Sequence, residues 1–351
     1  MLRKGGEKMK RKVLSLLLCI VMLIGILPVY AFAEEDTSDW TYEANRGGTG
    51  VITGYNGSDT ELVFPKRIDG YTMVGIADNA FDYEDEPNST ITKITIPDTY
   101  TRIGNNSFNW SLALKEIELP DTIEYIGYNS FSKSAYYLNQ KHELRRNKQP
   151  EVVYIGEYLI KADHDAYYMP DCLTIKQGTK LIAAGAFFNN NHIKNVIIPE
   201  GVEYINQGAF AWCDSLKSIV LPNTVKRIEN ISFAVSDNLR AIVIPESVEY
   251  IDDGAFFSQV FMQFVTVYGV KGSLAEKFAN EKGTMFVELK DVLYGDVDGD
   301  GQISVNDYAS AASCAIGNTE FDGNQEVIGD MNGDCVIDAF DAAAIDRIIA
   351  N

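Results

Sequence analysis

A repeat of 23 residues is the feature that most constrains the fold of this chain. A proline closes a short aliphatic run at five places, and neighbouring prolines are 23 residues apart wherever the pattern is continuous: Pro97, Pro120, Pro199, Pro222 and Pro245. Seven phenylalanines share this phase, each preceded by Ala or Ser and lying five residues after an isoleucine: Phe81, Phe108, Phe131, Phe187, Phe210, Phe233 and Phe256. A unit this short cannot bury its own apolar side chains. The sequence therefore predicts a solenoid of about seven stacked coils.

Each unit combines a short strand, a proline that ends it, a second extended piece and a turn closed by the phenylalanine. In residues 216–233 the pattern L-x-x-I-x-I-P-x-x-V-x-x-I-x-x-x-A-F is almost intact. It resembles the BspA-type (Treponema-type) leucine-rich repeat over about residues 40–289. The resemblance implies a mainly β leucine-rich-repeat solenoid in a secreted or surface bacterial protein that binds or adheres to a ligand.

Both ends of the solenoid are predicted to be capped. Residues 41–70, with a turn at 54–59, resemble the opening hairpin of the family. At the other end a strand near 264–268 precedes a capping box at Ser273 and Glu276, which predicts a helix to about Lys282. A polar cap covers the last apolar face of a solenoid.

The repeat is interrupted once, between Phe131 and Phe187. The insertion, about residues 135–168, contains five basic or histidine residues in an acidic protein: Lys141, His142, Arg145, Arg146 and Lys148. Two interpretations stay open: a solvated loop that tolerates insertion, or a loop that contacts a partner.

Alignment of the coils places three columns of side chains on the surface. One alternates in charge after its first member: Thr101, Glu124, Lys180, Glu203, Lys226 and Glu249. The next is a candidate ligand ladder that includes Tyr125, Tyr204, Arg227 and Tyr250, and it is either a binding surface or the half-buried flank of the solenoid. The third ends in Ile197, Val220 and Val243, which form a partner-binding patch if they are exposed and core if they are covered.

The N-terminus predicts export. Basic residues precede an apolar run from Val13 to Leu27 and the segment Ala31-Phe32-Ala33, a pattern typical of a signal peptide, residues 1–33. The run is shorter than the ~20 residues of a membrane span, so no span is expected after cleavage. Cleavage removes six basic residues and one acidic residue, which changes the net charge from −20 to −25. Such a charge disfavours nucleic acid as a partner.

Catalytic and redox chemistry have little support. The four cysteines outside the leader, which lack CxxC spacing, favour free thiols: Cys172, Cys213, Cys314 and Cys335. None of the motifs of P-loop enzymes, α/β-hydrolases or zinc proteases is present. Glu203 and Glu249 are a poor glycosidase pair because Lys226 would lie between them. The sequence therefore predicts a protein that is not an enzyme.

Two twelve-residue loops near the C-terminus have the spacing of calcium ligands. In a twelve-residue EF-hand loop, Ca²⁺ is bound by oxygens from positions 1, 3, 5, 7, 9 and 12, and position 7 contributes its backbone carbonyl. The first loop offers Asp296, Asp298, Asp300, Gln302, Ser304 and Asp307, and the second offers Asp330, Asn332, Asp334, Val336, Asp338 and Asp341. Two Ca²⁺ ions are therefore predicted. Cys335 replaces the glycine expected at position 6, at a cost of about 1–2 kcal/mol, so the second site should be weaker.

Helices are predicted after these loops, at about 305–316 and 339–350, whereas no helical pattern precedes the first loop. A duplicated EF-hand-like loop with only its exit helix resembles the dockerin module, here residues 294–351. The predicted domain order is then a repeat domain at 34–289, a short linker at 290–293 and the dockerin. The resemblance implies calcium-dependent binding to a cohesin domain of a scaffoldin. It also implies contacts at loop positions 10 and 11 and on the following helices, here Val305, Asn306, Ala339, Phe340, Asp346 and Arg347.

Together these features predict a secreted, non-catalytic binding protein in the extracellular or cell-surface complex of a bacterium. The dockerin would attach it to a cellulosome-like, polysaccharide-degrading complex, and the solenoid would bind an unknown protein or glycan. The alternatives are a cell-surface adhesin, a structural protein, or a cellulosomal enzyme with an unrecognised site.

Overall fold

A computed structural model describes residues 37–82, 90–257, 265–289, 294–331, 337 and 339–349. For Phe340 and Asp346 it describes the backbone alone. The predicted leader and linker lie outside these ranges. Within them, no helix combines the length and the apolar character needed to cross a bilayer.

Two rows of short parallel strands run along the solenoid and define a front and a back face. The front face contains β3 (Glu61–Val63), β6 (Lys93–Thr95), β8 (Glu116–Glu118), β12 (Cys172–Thr174), β14 (Asn195–Ile197), β16 (Ser218–Val220), β18 (Ala241–Val243), β20 (Thr266–Gly269) and β21 (Met285–Glu288). The back face contains β2 (Thr49–Tyr55), β5 (Tyr71–Ile76), β7 (Arg102–Ile103), β9 (Tyr125–Ile126), β11 (Tyr158–Ala162), β13 (Leu181–Ile182), β15 (Tyr204–Ile205), β17 (Arg227–Ile228) and β19 (Tyr250–Ile251). The remaining strands pair antiparallel with back-face strands: β1 (Trp40–Asn45), β4 (Arg67–Ile68) and β10 (Val152–Ile155).

The predicted phenylalanines form two stacks inside the solenoid. Phe81, Phe108 and Phe131 stack with ring centroids 5.1 and 5.4 Å apart. The second stack has spacings of 4.7, 5.4 and 5.1 Å and contains Phe187, Phe210, Phe233 and Phe256. The amides of five of the ring residues also donate to the next coil, as from Phe210 to the carbonyl of Ser232 at 2.7 Å. One ring per coil therefore sets the spacing of the core, and the predicted fold class is confirmed.

The predicted number of coils was too low: the solenoid makes about ten turns rather than seven. Counting one coil per phenylalanine misses turns that are closed in other ways. These are the hairpin of β1 and β2, the hairpin of β10 and β11, and the C-terminal turn around α2 (Leu274–Lys282). The opening hairpin is present, but its turn lies at 46–48 instead of 54–59. In the C-terminal cap, α2 ends as predicted at Gly283, and Phe278 extends the stack from Phe256 at 5.4 Å.

The insertion is built around a helix rather than a loop. Ser134 caps α1 (Ala135–Arg146), since its hydroxyl accepts from the Tyr137 amide. Arg145 binds the fully buried Glu151 through two hydrogen bonds of 3.0 and 2.7 Å. Tyr137 donates to Asp163 at 2.8 Å, and the Lys141 ammonium pairs with the same carboxylate. Two of the five basic or histidine residues, Lys141 and Arg145, therefore anchor the insertion to its own protein.

These contacts decide the charge state of the two buried acids. Burial by itself would raise the pKa of Glu151, but the bonds from Arg145 and the Tyr167 amide hold that pKa below its ordinary value. Burial acts in the same sense on Asp163, whose pKa is also lowered by its hydrogen bonds with neighbours that include Lys141 and Tyr137. Both acids are charged at neutral pH.

An asparagine joins the two halves of the solenoid where the back-face pairing stops after β9. The Asn206 side chain accepts from the amide of Ile126 at 2.9 Å and donates to the carbonyl of Glu124 at 3.0 Å, as a strand backbone would. Tyr128 lies against Gly208, where a Cβ would come within 1.7 Å of the tyrosine oxygen. The Asn206 side chain, together with the absence of a side chain at Gly208, therefore lets the two halves of the solenoid meet.

The same joint corrects the column of alternating charge. The β10–β11 turn places Glu157 beside Lys180, which pairs with it at 3.6 Å, so Glu124 belongs to the other half of the solenoid. Lys226 pairs with Glu203 at 2.8 Å, as the alternation predicts. The insertion therefore supplies a glutamate that the alignment of coils did not include.

Among the described residues after Tyr294 there are three helices: α3 (Val305–Ala315), α4 (Gly323–Gly329) and α5 (Ala339–Ile349). The first and third match the predicted helices, and α4 was not predicted. Their core is a small apolar cluster of Val297, Ala311, Phe321, Ala342 and Ile345. Ile303 and Ile337, at position 8 of the two loops, both pack against this cluster, which holds the loops together.

Candidate functional site: a calcium loop and the surfaces around it

The first acidic loop is closed by hydrogen bonds to its own carboxylates. Asp296 accepts from the amides of Asp300 and Gly301 at 3.1 and 2.9 Å, and Asp307 accepts from those of Asp298 and Ser304 at 3.1 and 2.7 Å. Gly301 has φ +87°, the left-handed conformation that the sixth position of such a loop needs. The loop geometry is therefore built into the chain itself.

Three carboxylates of this loop point to one place. Oxygens of Asp296, Asp298 and Asp307 lie within 4.8 Å of one another, although Asp307 is fully buried and Asp296 nearly so. A hydrogen bond from the Asp300 amide lowers the pKa of Asp298, but desolvation and the neighbouring carboxylates together raise it above its ordinary value. These carboxylates fit a cation, and hard oxygen ligands suit Ca²⁺.

The remaining predicted ligands of the first loop, Asp300, Gln302 and Ser304, make hydrogen bonds within the loop or at the start of α3. The Asp300 carboxylate accepts from the Gln302 amide at 2.8 Å. Ser304 caps α3, where its hydroxyl accepts from the Asn306 amide at 3.1 Å. Ser304 is therefore both position 9 of the loop and the N-cap of the helix that follows it.

The second loop is described at its two ends and at Ile337. Asp341 is fully buried at the start of α5 and accepts from the Met331 amide at 2.9 Å. Asp330, at position 1, caps the C-terminus of α4. The predicted ligands Asn332, Asp334, Val336 and Asp338, and also Cys335, lie outside the described residues.

The predicted partner residues that are described lie on exposed parts of α3 and α5. Val305 is 66% exposed, and Asn306, Ala339 and Arg347 are exposed as well. The side chains of Phe340 and Asp346 lie outside the described residues. Sequence reasoning missed three exposed apolar residues on the same helices and their ends: Tyr308, Ile316 and Ile348. Apolar residues that remain exposed on packed helices are the signal that identifies them.

Comparison with known families assigns both parts of the chain. The model of the BspA type leucine rich repeat region matches six copies at residues 75–158 and 170–280, more than half of the chain. The chain belongs to the BspA-type leucine-rich repeat family. The model of the dockerin type I domain matches residues 294–350 of this repeat protein. Dockerin type I domains bind calcium and pair with cohesins, and neither family is catalytic.

Solved structures give further bacterial repeat proteins as neighbours. A leucine rich cell surface protein from Faecalibacterium prausnitzii is 18% identical, with a TM-score of 0.30, over 65% of this chain and 74% of that chain. The T. pallidum leucine rich repeat protein is 19% identical, with a TM-score of 0.31, over 71% and 96%. The pneumococcal vaccine antigen PcpA is 12% identical, with a TM-score of 0.30, over the same shares. No curated relative matches the chain.

The candidate ligand ladder of the repeat protein is in register on the back face. Tyr204, Arg227 and Tyr250 pair directly across β15, β17 and β19, while Tyr125 pairs with Arg102 in the other half. The Arg227 guanidinium lies 4.3 Å from the ring of Tyr250 and 3.1 Å from Glu229. The hydroxyls of Tyr250 and Tyr125 donate to Asp252 at 2.9 Å and to Gln207 at 3.3 Å. The hydroxyl and one ring face of Tyr250 and of Tyr125 are thus engaged within the chain, since Arg102 lies 3.9 Å from the ring of Tyr125.

Two of the described cysteines, Cys314 and Cys213, are free thiols. Cys314 lies at the end of α3, and burial raises the pKa of this thiol above its ordinary value. Cys213 is buried in the solenoid, and burial raises the pKa of its thiol to about 12. Neither is a reactive thiolate at neutral pH.

Proposed function

We propose that this repeat protein is a secreted, non-catalytic component of a cellulosome-like complex. Its dockerin attaches it, with two bound Ca²⁺ ions, to a cohesin of a scaffoldin, and its solenoid presents a binding surface outside the cell. The observation that carries this proposal is the convergence of Asp296, Asp298 and Asp307 beside a helix whose outer face remains exposed.

Calcium would act through the shape of the first loop. Asp307 is the twelfth loop residue and also lies in the first turn of α3, where it accepts from the Ser304 amide. Neutralising the three carboxylates fixes this helix start. The position of Val305 and Asn306, the next two residues after the cap, then depends on the metal.

The proposed domain limits follow the same division of labour. Residues 1–33 are the exported leader, 34–289 the repeat domain, 290–293 the linker and 294–351 the dockerin. The surfaces for the two partners are then separate, because the ladder lies on the back face of the solenoid and the exposed helix residues lie in the dockerin.

We expect one dominant orientation on the cohesin. The two loops differ at positions 10 and 11, which are Val305 and Asn306 in the first and Ala339 and Phe340 in the second. A single aromatic residue provides the larger apolar contact, so Phe340 is the proposed anchor. Asp346 and Arg347 would contribute polar contacts at the edge.

Calorimetry with a panel of cohesins tests the attachment. Binding should require calcium and disappear with a chelator, and Phe340→Ala should weaken it at least tenfold if that residue is the anchor. Val305→Asp is the matched variant in the other half. If Phe340→Ala left the affinity unchanged while Val305→Asp abolished it, the first half would be the contact face instead. Failure to bind any cohesin would refute the attachment.

The solenoid ligand needs a separate test. Immobilised cell-wall glycans and host surface proteins should be compared as baits, with Tyr250→Ala as the variant, since Tyr250 is 37% exposed. Loss of capture by this variant supports the ladder as the contact surface. Unchanged capture assigns the ligand to another face.

A further inference from the structure

The end of the front face is covered by the dockerin itself. Val243 of β18 and Tyr268 of β20 pair across the sheet and are 9% and 4% exposed. Val327 of α4 completes their apolar cluster and is 6% exposed. One coil earlier in the same column, Val220 is 40% exposed. The column therefore changes from exposed to buried where the helix arrives.

Polar contacts surround this apolar centre. Lys217 donates to the carbonyl of Phe321 at 3.1 Å and pairs with the carboxylates of Glu326 and Glu320 at 3.7 and 3.5 Å. The Ser218 hydroxyl donates to Glu326 at 3.0 Å. The Tyr268 hydroxyl donates to the side-chain oxygen of Asn324, also at 3.0 Å. Buried polar groups that are satisfied across a contact make it specific.

Gly323 lets the helix approach the sheet. A Cβ at this position would lie 2.2 Å from the Lys217 carbonyl oxygen and 2.9 Å from the Arg240 Cβ. The nearest obstacles belong to the repeat domain and not to the dockerin. The glycine is therefore fitted to the contact.

The same helix is tied to the first calcium loop. Gln325 donates to the carbonyl of Val297 at 3.1 Å, and the Gly295 amide donates to the carbonyl of Ile328 at 2.9 Å. Val297 is 3% exposed and lies between the ligands Asp296 and Asp298. The first loop and α4 are therefore linked directly through Val297 and Gly295.

We propose that the end of the front face is a docking surface for the chain's own dockerin, and that calcium in the first loop is required for this contact. With calcium the repeat domain and dockerin form one unit, and Val305, Ala339 and Arg347 remain exposed for a cohesin. Without calcium the helix leaves and uncovers Val243 and Tyr268. This proposal rests on the calcium site proposed above, but it does not require that the partner be a cohesin.

Acetylation of lysines in the full chain, followed by peptide mass spectrometry, measures the docked state. Lys217 is 25% exposed when docked, and undocking should raise its acetylation rate about fourfold or more relative to the exposed Lys115. Chelator should produce this change in the wild-type chain. With calcium present, Gly323→Ala should produce it as well, since its methyl group conflicts with the repeat domain.

A second variant changes the other side of the contact. Val243→Lys places a charge under α4 and should also expose Lys217, whereas Val63→Lys, at the 67% exposed position of β3 in the same column, should not. Circular dichroism checks that each variant is folded. Unchanged Lys217 reactivity in both Gly323→Ala and Val243→Lys would overturn the docking surface.

The calcium requirement has its own outcome. If the chain binds calcium and chelator leaves Lys217 protected, the coupling is wrong while the proposed function stands. If the chain binds no calcium at all, the proposed function fails, and the two variants still decide whether the helix docks.

Discussion

Phe210→Ala tests whether the ring stacks carry the stability of the solenoid. Phe210 is 1% exposed and is stacked between Phe187 at 4.7 Å and Phe233 at 5.4 Å. Burial of about 200 Å² at about 25 cal/mol per Å² gives an upper bound of about 5 kcal/mol. Alanine retains the Cβ, but it leaves a cavity and two lost ring contacts. We expect the free energy of unfolding to fall by about 4 kcal/mol.

The measurement is urea unfolding at constant calcium, followed by tryptophan fluorescence. The three tryptophans, Trp40, Trp110 and Trp212, are all in the repeat domain, so the signal excludes the dockerin. Phe188→Ala is the control because Phe188 is 39% exposed and lies outside the stack, and it should cost about 1 kcal/mol or less. Equal losses for the two variants would refute the role of the stack, and so would a loss below about 1 kcal/mol for Phe210→Ala.

Three further predictions concern the joint, the insertion and the metal. Asn206→Ala leaves the Ile126 amide and the Glu124 carbonyl without their partner and should cost about 2–3 kcal/mol in the same titration, whereas a loss below about 0.5 kcal/mol would contradict the bridging role. The folded pKa values of Glu151 and Asp163 lie below the ordinary 4.5 and 3.8, so the stability that these two charged acids contribute is complete at neutral pH and is lost as the pH falls below these values. Glu151→Gln should therefore make the loss of stability between about pH 4.5 and 3 shallower. An unchanged slope would exclude Glu151 as a source of the acid-sensitive stability. Calcium titration should show one tight and one weaker site because Cys335 occupies position 6 of the second loop, and two equal, tight sites would contradict this.

Periodic features were predictable because each repeat reports the same environment. The step of 23 residues predicts that Phe210 and its equivalents lie in the core and that Arg227 lies beside Tyr250, as the structure shows. The spacing of acidic residues located the loop from Asp296 to Asp307 in the same way, since a ligand set is a local pattern. Repetition and local spacing are the two kinds of information that a single sequence carries without its tertiary contacts.

Single events in the chain were harder to predict. The insertion was predicted to be a loop that is either solvated or in contact with a partner, whereas Arg145 and Lys141 find buried acids brought close by the β10–β11 hairpin. Helix α4 was missed although a local signal existed: Asp322 and Gln325 form a capping box, in which Asp322 accepts from the Gln325 amide at 2.9 Å and Gln325 accepts from the Asp322 amide at 3.0 Å. Its seven residues gave no apolar period to support that signal.

The column that ends in Ile197, Val220 and Val243 shows why local sequence cannot separate a core from a binding surface. Each of the three apolar residues is the last residue of its strand, yet Val220 is 40% exposed and Val243 is 9% exposed. The difference arises from Val327, 84 residues beyond Val243 in the chain, and from the ion pair of Lys217 with Glu326 beside it. An apolar residue at the end of a solenoid is stable either against a cap or against a partner. In this chain the dockerin supplies the cap, so a metal bound in its first loop would have a direct structural route to the contact with the repeat domain.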